Sequence, residues 1–356
     1  MAERLHAIYH VRAEASTIAA RAQAIAVEQS VEMPLSAIED SSILSNMVGR
    51  VEDISDRGNG VFSVLIALAS ATIGSDAGQL LNMAFGNTSL HDDVVLHDIV
   101  LPPGMFPGPN HRIAGLRARC TGAARALTCS ALKPQGLAPT ALASLAAQFA
   151  RGGVDFIKDD HGLADQAFSP FAERIGAIAT VLRDVASETG QLTQYVPSLS
   201  GDLDTMRRHA GLARAAGIAC VMLAPMIAGV ATMRTLARDF PDMAIFAHPA
   251  LAGATRISPA LLIGKLFPAF GADAVIFPTH GGRFGYSPAT CRALAENARA
   301  LGALPVPAGG MTLSRVPEIL DFYGPDTMLL IGGSLLEARQ RLTEETAHFV
   351  RAVVTH

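Results

Sequence analysis

The sequence predicts a TIM-type (β/α)8 barrel that follows a ferredoxin-like α+β domain, and three observations support this fold class. From Ala126 onward, short apolar segments alternate with Ala-rich segments in eight units, which is the pattern of a closed barrel of parallel strands. Residues 5–99 instead give the order strand, helix, strand, strand, helix, strand, which is the ferredoxin-like order. The Pro- and Gly-rich stretch 102–109 interrupts regular structure and separates the two patterns as a linker.

The N-terminal domain is predicted to cover residues 1–110. A helix is expected to begin after a capping residue, Ser16, and to continue with apolar residues at helical spacing as far as Ala26. The turn-forming residues 56–60 favour a hairpin between the second and third strands. The predicted strands cover 5–13, 48–54, 61–69 and 93–99, and the predicted helices cover 16–26 and 75–84.

The barrel domain is predicted to cover residues 111–356. Catalytic residues of this fold lie at the carboxyl ends of the strands, so the residues that follow each strand are the first candidates for a site. A doubly wound open sheet is the alternative architecture, although it rarely needs eight such regular units. The predicted strands cover 126–132, 154–157, 194–196, 219–223, 244–246, 274–277, 304–306 and 328–331, and the helices begin near Pro139, Pro170, Asp202, Val230, Pro259, Ser287, Ser314 and Leu335.

Composition excludes several classes of protein. Half of the 356 residues are hydrophobic and 17% are charged, so a large core is expected and disorder is not. The net charge of -4 argues against a surface for nucleic acid or anionic membrane. No apolar run is long enough to span a bilayer, and no signal peptide is apparent at the N-terminus. The four cysteines lack CxxC spacing, so they are interpreted as small core residues of a reduced, cytoplasmic protein.

The stretch from Gly152 to His161 is the most informative in the chain. Its apolar part, 154–157, predicts a buried strand, and four ionisable residues follow that strand directly. Because an unpaired charge is costly in a core, these four residues are expected where the strand emerges. Two carboxylates and an imidazole there suit a hard divalent cation. Lys158 is compatible with such a cation site if it pairs with a carboxylate, or if CO2 converts it to a carbamate. The alternative for all four residues is a solvated charged loop after the strand.

Two glycine pairs, Gly309-Gly310 and Gly332-Gly333, follow the last two predicted strands. This is the usual phosphate position of such barrels, where backbone N–H groups hold the anion and glycine lets the backbone come close. Ordinary tight turns are the alternative. Arg283, on a glycine-flanked loop, is a candidate second anion contact or lid residue, or simply an exposed arginine.

Lys133 and His248 also follow predicted strands. A lysine at the inner rim of a barrel, near a metal and a phosphate, can have a lowered pKa and carry a proton. The alternative for Lys133 is an ion pair with Asp155 or Asp160. His248 emerges from an apolar run just before a proline, so it is either a catalytic residue or a hydrogen-bonded structural one.

These residues together resemble a known family. The motif at 152–160 is similar to the metal-site motif of the large subunit of ribulose-bisphosphate carboxylase (RuBisCO), which reads Gly-Gly-Leu-Asp-Phe-Thr-Lys-Asp-Asp-Glu. Lys133 with the proline after it resembles the first catalytic lysine, and His248 matches the catalytic histidine after the fifth strand. The segment 26–30, which contains Glu28, resembles a part of that family that reaches the active site of the neighbouring subunit. The glycine pairs match the glycines that bind one phosphate.

The sequence also departs from the carboxylase pattern at several positions. His161 replaces a glutamate metal ligand, and Gln135 stands where the carboxylase has its second active-site lysine. Pro249 replaces a phosphate-binding arginine, and Ala308 replaces a serine. The loop after the sixth strand contains no lysine, and Arg283 is its one lysine or arginine. The lysine that stabilises the carboxylated intermediate in the carboxylase is therefore missing. The resemblance is therefore to the RuBisCO-like proteins, the form IV group, and not to an enzyme that fixes CO2.

The resemblance implies a homodimeric enzyme with active sites shared between subunits, which forms an enediolate from a phosphorylated keto-sugar or keto-sugar acid. It implies catalytic roles for Lys133, Lys158, His248 and Glu28, a Mg2+ site at carbamylated Lys158, Asp160 and His161, and phosphate contacts at Arg283, Gly309, Gly310, Gly332 and Gly333.

The reaction preferred from the sequence is loss of a carboxylate from a 3-oxo sugar-acid phosphate. The alternatives within the group are tautomerisation of a diketo methylthio sugar phosphate and isomerisation of a methylthioribulose phosphate, both in methionine salvage. A non-catalytic barrel that binds a sugar phosphate is a further alternative. The last alternative is an unrelated phosphate-binding TIM-barrel aldolase in which Lys133 or Lys158 forms a Schiff base.

Overall fold

The computed structural model describes residues 3–120 and 125–356. The chain forms two compact units, one of Met1–Pro107 with Ala252–Leu262, the other of Gly108–Leu251 with Ile263–His356. The first boundary lies close to residue 110, where the sequence divides the two domains. The sequence assigns the segment 252–262 to the barrel domain, whereas in the structure this segment groups with the N-terminal unit.

Strands and helices of the N-terminal unit follow the predicted order. They are β1 (Arg4–Arg12), α1 (Ile18–Glu28), α2 (Ser41–Asn46), β2 (Arg50–Asp56), β3 (Val61–Ala69), α3 (Ala77–Phe85) and β4 (Val94–Val100). The strands form one antiparallel sheet with the order β2-β3-β1-β4, which is the ferredoxin-like arrangement. Ile257 makes a parallel bridge with Leu96 of β4, so the segment 252–262 covers the edge of this sheet.

One detail of this unit differs from the prediction. Helix α1 is preceded by Thr17 as its N-cap, not by Ser16, and the Thr17 side chain makes no capping hydrogen bond. The start of α1 is instead held by backbone bonds, because the N–H groups of Thr17 and Ile18 both donate to the carbonyl of Glu14.

The second unit contains eight parallel strands in the described residues, each close to a predicted one. They are β5 (Leu127–Leu132), β6 (Phe156–Asp159), β7 (Gln194–Val196), β8 (Cys220–Leu223), β9 (Ala244–Ala247), β10 (Ala274–Pro278), β11 (Leu304–Ala308) and β12 (Met328–Leu330). The helices from this point of the chain onward are α4 (Arg112–Arg117), α5 (Pro139–Arg151), α6 (Phe171–Thr189), α7 (Leu203–Ala215), α8 (Pro225–Ala228), α9 (Val230–Asp239), α10 (Pro259–Leu261), α11 (Phe267–Ala269), α12 (Pro288–Ala300), α13 (Val316–Tyr323), α14 (Gly333–Leu336) and α15 (Leu342–Val354).

The eight strands form two four-stranded sheets, β12-β5-β6-β7 and β11-β10-β9-β8, which together make the barrel wall. A parallel bridge between Ser198 and Met222 joins the β7 side to β8. On the other side, Thr327 Oγ1 donates to the carbonyl of Pro305 in β11 at 3.1 Å. Because Pro305 and Pro307 have no N–H group, β11 cannot donate to β12 at these positions. The (β/α)8 fold class predicted from the sequence is confirmed.

The second strand of the barrel continues further than predicted. Lys158 and Asp159 belong to β6 and are buried, so the expectation that all four ionisable residues lie beyond the strand is wrong. Successive side chains of a strand point to opposite sides. Phe156 belongs to the core cluster inside the barrel, so Lys158 and Asp160 lie on its side of the strand, and Asp159 lies on the opposite side.

A buried aspartate joins neighbouring segments at the amino ends of the strands. Asp155 accepts hydrogen bonds from Arg125 Nη1 and Nη2, at 2.8 and 3.0 Å. It also accepts from the backbone N–H and the hydroxyl of Thr128, both at 2.8 Å. Asp273 binds the N–H of Ile245 in the same way, at 2.9 Å. Every oxygen of Asp155 is therefore satisfied at a position far from the carboxyl-end loops.

The remaining expectations from composition concern cysteines and membranes. Cys129 and Cys220 are buried within β5 and β8, as predicted, and all four cysteines are free thiols. Among the helices of residues 3–120 and 125–356, none is both long and apolar enough to cross a lipid bilayer.

Candidate active site

The predicted site residues of the barrel meet at the carboxyl ends of the strands. Ala131 and Leu132 of β5 pair with Lys158 and Asp159 of β6, so Lys133 leaves its strand beside the end of β6. The residues that follow β6 and β5 are therefore neighbours because the two strands are adjacent and parallel, as the barrel prediction required.

Asp160 is the centre of this group. Lys133 Nζ donates to Asp160 Oδ1 at 2.6 Å, and His161 Nδ1 lies 3.3 Å from the same oxygen. Gln135 Nε2 donates to the other oxygen at 3.4 Å. Burial alone raises the pKa of Asp160, but hydrogen bonds from His161 and Lys133 and the charges of Lys133 and Lys158 hold that pKa well below its usual range. The carboxylate is thus ionised and surrounded by donors.

Two histidines stack beside this carboxylate. The rings of His161 and His248 lie 4.4 Å apart, centre to centre, and are tilted by only 6°. The N–H of Ala250 donates to His248 Nδ1 at 3.2 Å, which leaves the ring proton on Nε2. Burial, and then the charge of Lys158, lower the pKa of His248 to about 2. His248 is therefore a neutral imidazole that can donate one hydrogen bond from Nε2.

Lys158 is the buried member of the group. Its side chain lies on the inner side of β6, only 4% of the residue is exposed, and Nζ donates to the carbonyl of Asp159 at 2.8 Å. Burial is the main cause that lowers the pKa of Lys158. A lowered pKa increases the fraction of Lys158 that is a neutral amine. The neutral amine is the form that combines with CO2 to give a carbamate.

The side chains around Asp160 include donors that suit a divalent cation. In the described parts of the chain, no group of three or more His, Cys, Asp or Glu side chains could hold a metal ion. Asp160 and His161 supply two donors of suitable chemistry, a carboxylate and an imidazole. The third donor, an anionic oxygen, would have to come from Lys158 as a carbamate. The residues would fit Mg2+ on that condition, so the fit depends on Lys158.

The loops after β10 and β11 touch through glycines. A Cβ atom on Gly282 would lie 1.9 Å from the carbonyl oxygen of Gly309, and one on Gly310 would lie 2.8 Å from Gly282 Cα. Gly309 and Gly310 also have positive φ angles of 79° and 91°, which side chains disfavour. These glycines are therefore required by the close approach of the two loops, whatever else they bind.

The second glycine pair lies beside the first. Ser334 Oγ, next to Gly333, donates to the carbonyl of Met311 at 2.9 Å, which joins the loop after β12 to the loop after β11. A Cβ on Gly333 would meet nothing within 4 Å, and one on Gly332 would meet only the Ala131 side chain at 3.8 Å. Unlike Gly309 and Gly310, this pair faces open space next to β5.

Arg283 lies on the exposed loop after β10. Its guanidinium carbon is 5.0 Å from the centre of the Phe284 ring. That ring in turn lies over Gly309, because a Cβ there would be 3.1 Å from the ring edge. Arg283 is therefore next to the glycine loops, and its role in binding a phosphate stays a prediction.

Gly282→Ala is expected to separate the loops after β10 and β11. The added methyl group has no room against the Gly309 carbonyl, and overpacking of this kind costs about 1–3 kcal/mol. The thermal midpoint should fall and the KM for a phosphorylated substrate should rise. Gly285→Ala is the matched control, since a Cβ at Gly285 meets nothing within 4 Å. Equal midpoints and KM values for the two variants would contradict this account.

The remaining predicted catalytic residue, Glu28, belongs to the N-terminal unit. It lies half-buried at the end of α1, and Asn87 Nδ2 donates to its Oε1 at 2.8 Å. Its neighbour Gln29 is buried and donates to the carbonyl of Met83 at 3.1 Å. Within its own unit the Glu28 carboxylate is thus anchored by one amide.

Comparison with known proteins identifies the family. Residues 112–260 match the model of the ribulose bisphosphate carboxylase large chain, catalytic domain. The chain is 53% identical to ribulose bisphosphate carboxylase-like protein 1 of Rhodopseudomonas palustris, over 100% of this chain and 99% of that protein. The chain belongs to the RuBisCO-like protein family. It is also 58% identical to 5-methylthioribulose-1-phosphate isomerase of Rhodospirillum rubrum, over 99% of this chain and 97% of the relative.

Solved structures of RuBisCO-like proteins share the fold. The chain superposes on the crystal structure of a RuBisCO-like protein from Rhodopseudomonas palustris with a TM-score of 0.94 and 49% identity, covering 100% and 99% of the two chains. A RuBisCO-like protein (MtnW) from Alicyclobacillus acidocaldarius gives a TM-score of 0.89 at 28% identity, covering 99% and 94%. The resemblance drawn from the sequence motifs is therefore confirmed.

Proposed function

We propose that this RuBisCO-like protein isomerises a phosphorylated ketose, with 5-methylthioribulose 1-phosphate as the substrate. The observation that carries the chemistry is the cluster of Lys133, Lys158 and His248 around the Asp160 carboxylate at the mouth of the barrel. A lysine bonded to a carboxylate and a neutral imidazole donor are groups that move protons and hold hydroxyls. The 58% identity to a protein named as the isomerase of this compound supports the choice of substrate.

The atoms of the substrate determine which bond changes. In a 2-ketose 1-phosphate the oxygen on C1 is esterified, so the free hydroxyl next to the carbonyl is on C3. Isomerisation then breaks the C3–H bond, forms a 2,3-enediolate and returns a proton to C2. The carbonyl moves from C2 to C3, and the hydroxyl proton moves to the oxygen on C2. No oxidant or co-substrate is needed.

In this mechanism Lys133 leaves Asp160 for the substrate and loses a proton to solvent. Its neutral amine then takes the proton from C3 and returns a proton to C2. His248 donates from Nε2 to a substrate hydroxyl and so fixes which carbon faces Lys133. Gly332 and Gly333 leave room for the phosphate, with Arg283 as a second contact. Asp160, His161 and carbamylated Lys158 would hold Mg2+, which would supply positive charge to stabilise negative charge on the substrate oxygens.

The proposal is tested by incubating the protein with Mg2+ and bicarbonate in D2O and following three compounds by NMR. They are 5-methylthioribulose 1-phosphate, the diketo methylthiopentyl phosphate and a 3-oxo sugar-acid phosphate. Isomerisation predicts a 3-keto product from the first compound, labelled with deuterium at the carbon that receives the proton. Turnover of the other compounds with none of the first would overturn the proposal.

The panel also decides between the other reactions predicted from the sequence. Loss of a carboxylate from the 3-oxo acid uses the same enediolate and would release CO2. Enolisation of the diketo compound has support from relatives named as 2,3-diketo-5-methylthiopentyl-1-phosphate enolase, at 28–32% identity. Binding of a ketose phosphate without turnover would indicate a sensor. A lysine adduct trapped by borohydride would indicate an aldolase.

We further propose that two copies of the chain share their active sites, with Glu28 acting in the site of the partner copy. The segment after Glu28 leaves apolar side chains exposed within its own unit, at Met33, Leu35, Ile43 and Leu44. Helix α2, which carries two of them, has no buried residue. Apolar side chains left unpacked in this way are expected where another protein surface covers them.

Mixing two inactive variants tests this arrangement. Glu28→Gln and Lys158→Met chains should each form inactive dimers. Co-refolded in equal amounts, they should regain about a quarter of wild-type activity, because half of the dimers are mixed and each mixed dimer has one intact site. Mixing Lys158→Met with His248→Asn chains is the control and should restore nothing, since both residues belong to the same barrel. No recovery in the first mixture would contradict a shared site.

A further inference from the structure

A buried polar network lies on the outer side of β6, directly behind the proposed site. Tyr195 donates from its hydroxyl to Asp159 Oδ1 at 2.6 Å, and Arg174 donates from Nε to Oδ2 at 3.2 Å. The N–H of Ser198 also donates to Oδ2, at 3.0 Å. Asp159 and Arg174 are completely buried and Tyr195 is 4% exposed. We refer to Asp159, Arg174 and Tyr195 as the Asp159 network.

The network extends from the strand into the loop that carries His161. Arg174 Nη1 donates to the carbonyl of Ser169 at 2.7 Å, and Nη2 donates to the carbonyl of Ala164 at 2.8 Å. A single guanidinium therefore binds the last carboxylate of β6 on the outer side and two carbonyls of the loop 161–169. The loop leaves the strand at Asp160 and is tied back to it by Arg174.

Stability alone does not account for charges at this position. A buried ion pair can often be replaced by apolar side chains of similar volume with no loss of stability. What apolar side chains cannot supply is a set of directed bonds that fix a loop to a strand end. Asp160 and His161 are the two residues that connect these fixed parts, and their side chains meet at 3.3 Å on the inner side.

We infer that the Asp159 network positions Asp160 and His161 for their role in the active site, so that Arg174 and Tyr195 are positioning residues. This inference rests on the proposed function, because it assigns the network to the carboxylate and imidazole of that site. Partners that orient the ligands of a metal site contribute about 10- to 100-fold to metal affinity or activity.

Two variants test the network with readouts that a purely structural role would leave unchanged. Tyr195→Phe removes one donor to Asp159 and keeps the buried ring. Arg174→Lys keeps the charge but cannot donate to Asp159 and both loop carbonyls together. Tyr9→Phe is the matched control, because Tyr9 is also completely buried and its hydroxyl donates to the carbonyl of Ala84 in the N-terminal unit. Circular dichroism and thermal midpoints establish that each variant is folded.

The first measurement is the affinity for Mn2+, determined by electron paramagnetic resonance in bicarbonate buffer. It is combined with measurement of kcat and KM for the ketose phosphate. The network variants should bind Mn2+ about 10-fold more weakly or worse, and kcat should fall more than KM rises. The second measurement is amide hydrogen exchange, which should become faster in residues 161–169 for these variants. Tyr9→Phe should change neither measurement.

Lower thermal midpoints with unchanged Mn2+ affinity, kcat and exchange in 161–169 would overturn the inference and leave the network as ordinary packing. A wild-type protein that binds no Mn2+ and turns over no ketose phosphate would count against the proposed function instead. In that case the exchange measurement still decides whether the network fixes Asp160 and His161 in place: faster exchange in the network variants supports this positioning, and unchanged exchange overturns it.

Discussion

Replacing Lys158 with methionine is expected to cause a large loss of the proposed isomerisation while the barrel stays folded. Methionine is close to lysine in length and is apolar, so it fills the buried space on the inner side of β6 without leaving a cavity. The substitution removes the amine that is proposed to form the carbamate, and with it the proposed third donor for Mg2+. We expect kcat/KM to fall by about 10²- to 10⁴-fold, the range for loss of a positioned acid–base group.

Lys265→Met is the matched control for this variant. Lys265 is a half-buried lysine of the segment Leu262–Leu266, which forms a turn of π-helix, and it is not a strand-end residue. Its replacement should leave kcat/KM within a few-fold of wild type. The comparison is made with both proteins shown to be folded by circular dichroism. Retained turnover in Lys158→Met would remove the lysine from the mechanism and require other ligands for a cation.

Asp155→Ala is expected to give the largest loss of stability. The substitution removes the partner of Arg125, whose side chain is only 17% exposed, and two hydrogen bonds to Thr128. Breaking a buried pair leaves the other charge without compensation and costs about 3–5 kcal/mol. The free energy of unfolding, obtained from urea denaturation, should fall by that amount. If the variant is assayed well below its unfolding midpoint, turnover should be preserved, because Asp155 lies at the opposite end of β6 from Asp160.

The control for Asp155→Ala is an exposed aspartate in a surface pair. Asp204 lies 3.5 Å from Arg207 and its side chain is 82% exposed, so Asp204→Ala should cost less than about 1 kcal/mol. Similar losses of stability in the two variants would show that burial of the Arg125 pair is not what stabilises the barrel. A loss of turnover in folded Asp155→Ala would contradict the separation of stability and chemistry along β6.

Most of the barrel could be predicted from the sequence because most of its eight strands are short apolar runs followed by polar or glycine residues. The meeting of Lys133 with Asp160 follows from the same pattern, since β5 and β6 are consecutive parallel strands. The two glycine pairs could be singled out because they follow adjacent strands, whereas one pair alone would indicate an ordinary turn; their role in binding a phosphate stays a prediction. These features depend on local sequence and on the rule that consecutive parallel strands of a barrel are neighbours.

The division of the β6 side chains between two sides of the sheet is not predicted from the sequence. Asp159 and Asp160 are adjacent and chemically alike, yet one binds Arg174 on the outside and the other binds Lys133 on the inside. The alternation of side chains from Phe156 to Asp160 indicates which of them share a side of the strand. A run of charged residues is also typical of a loop, however, and the sequence therefore predicts that the strand ends before Lys158. Arg174 and Tyr195 could not be found in this way, because nothing in their local sequence indicates that they share one carboxylate.

The prolines of β11 have a consequence for how the barrel wall is held together. Leu304 donates its N–H to Asp273 on the β10 side, and alternate residues of a strand direct their N–H groups to opposite edges. Pro305 and Pro307 therefore leave the β12 edge without donors, and parting β11 from β12 breaks fewer backbone bonds than parting β11 from β10. The contact between β11 and β12 is therefore a weakly bonded line in the barrel wall. It ends at the two glycine loops next to the proposed phosphate position.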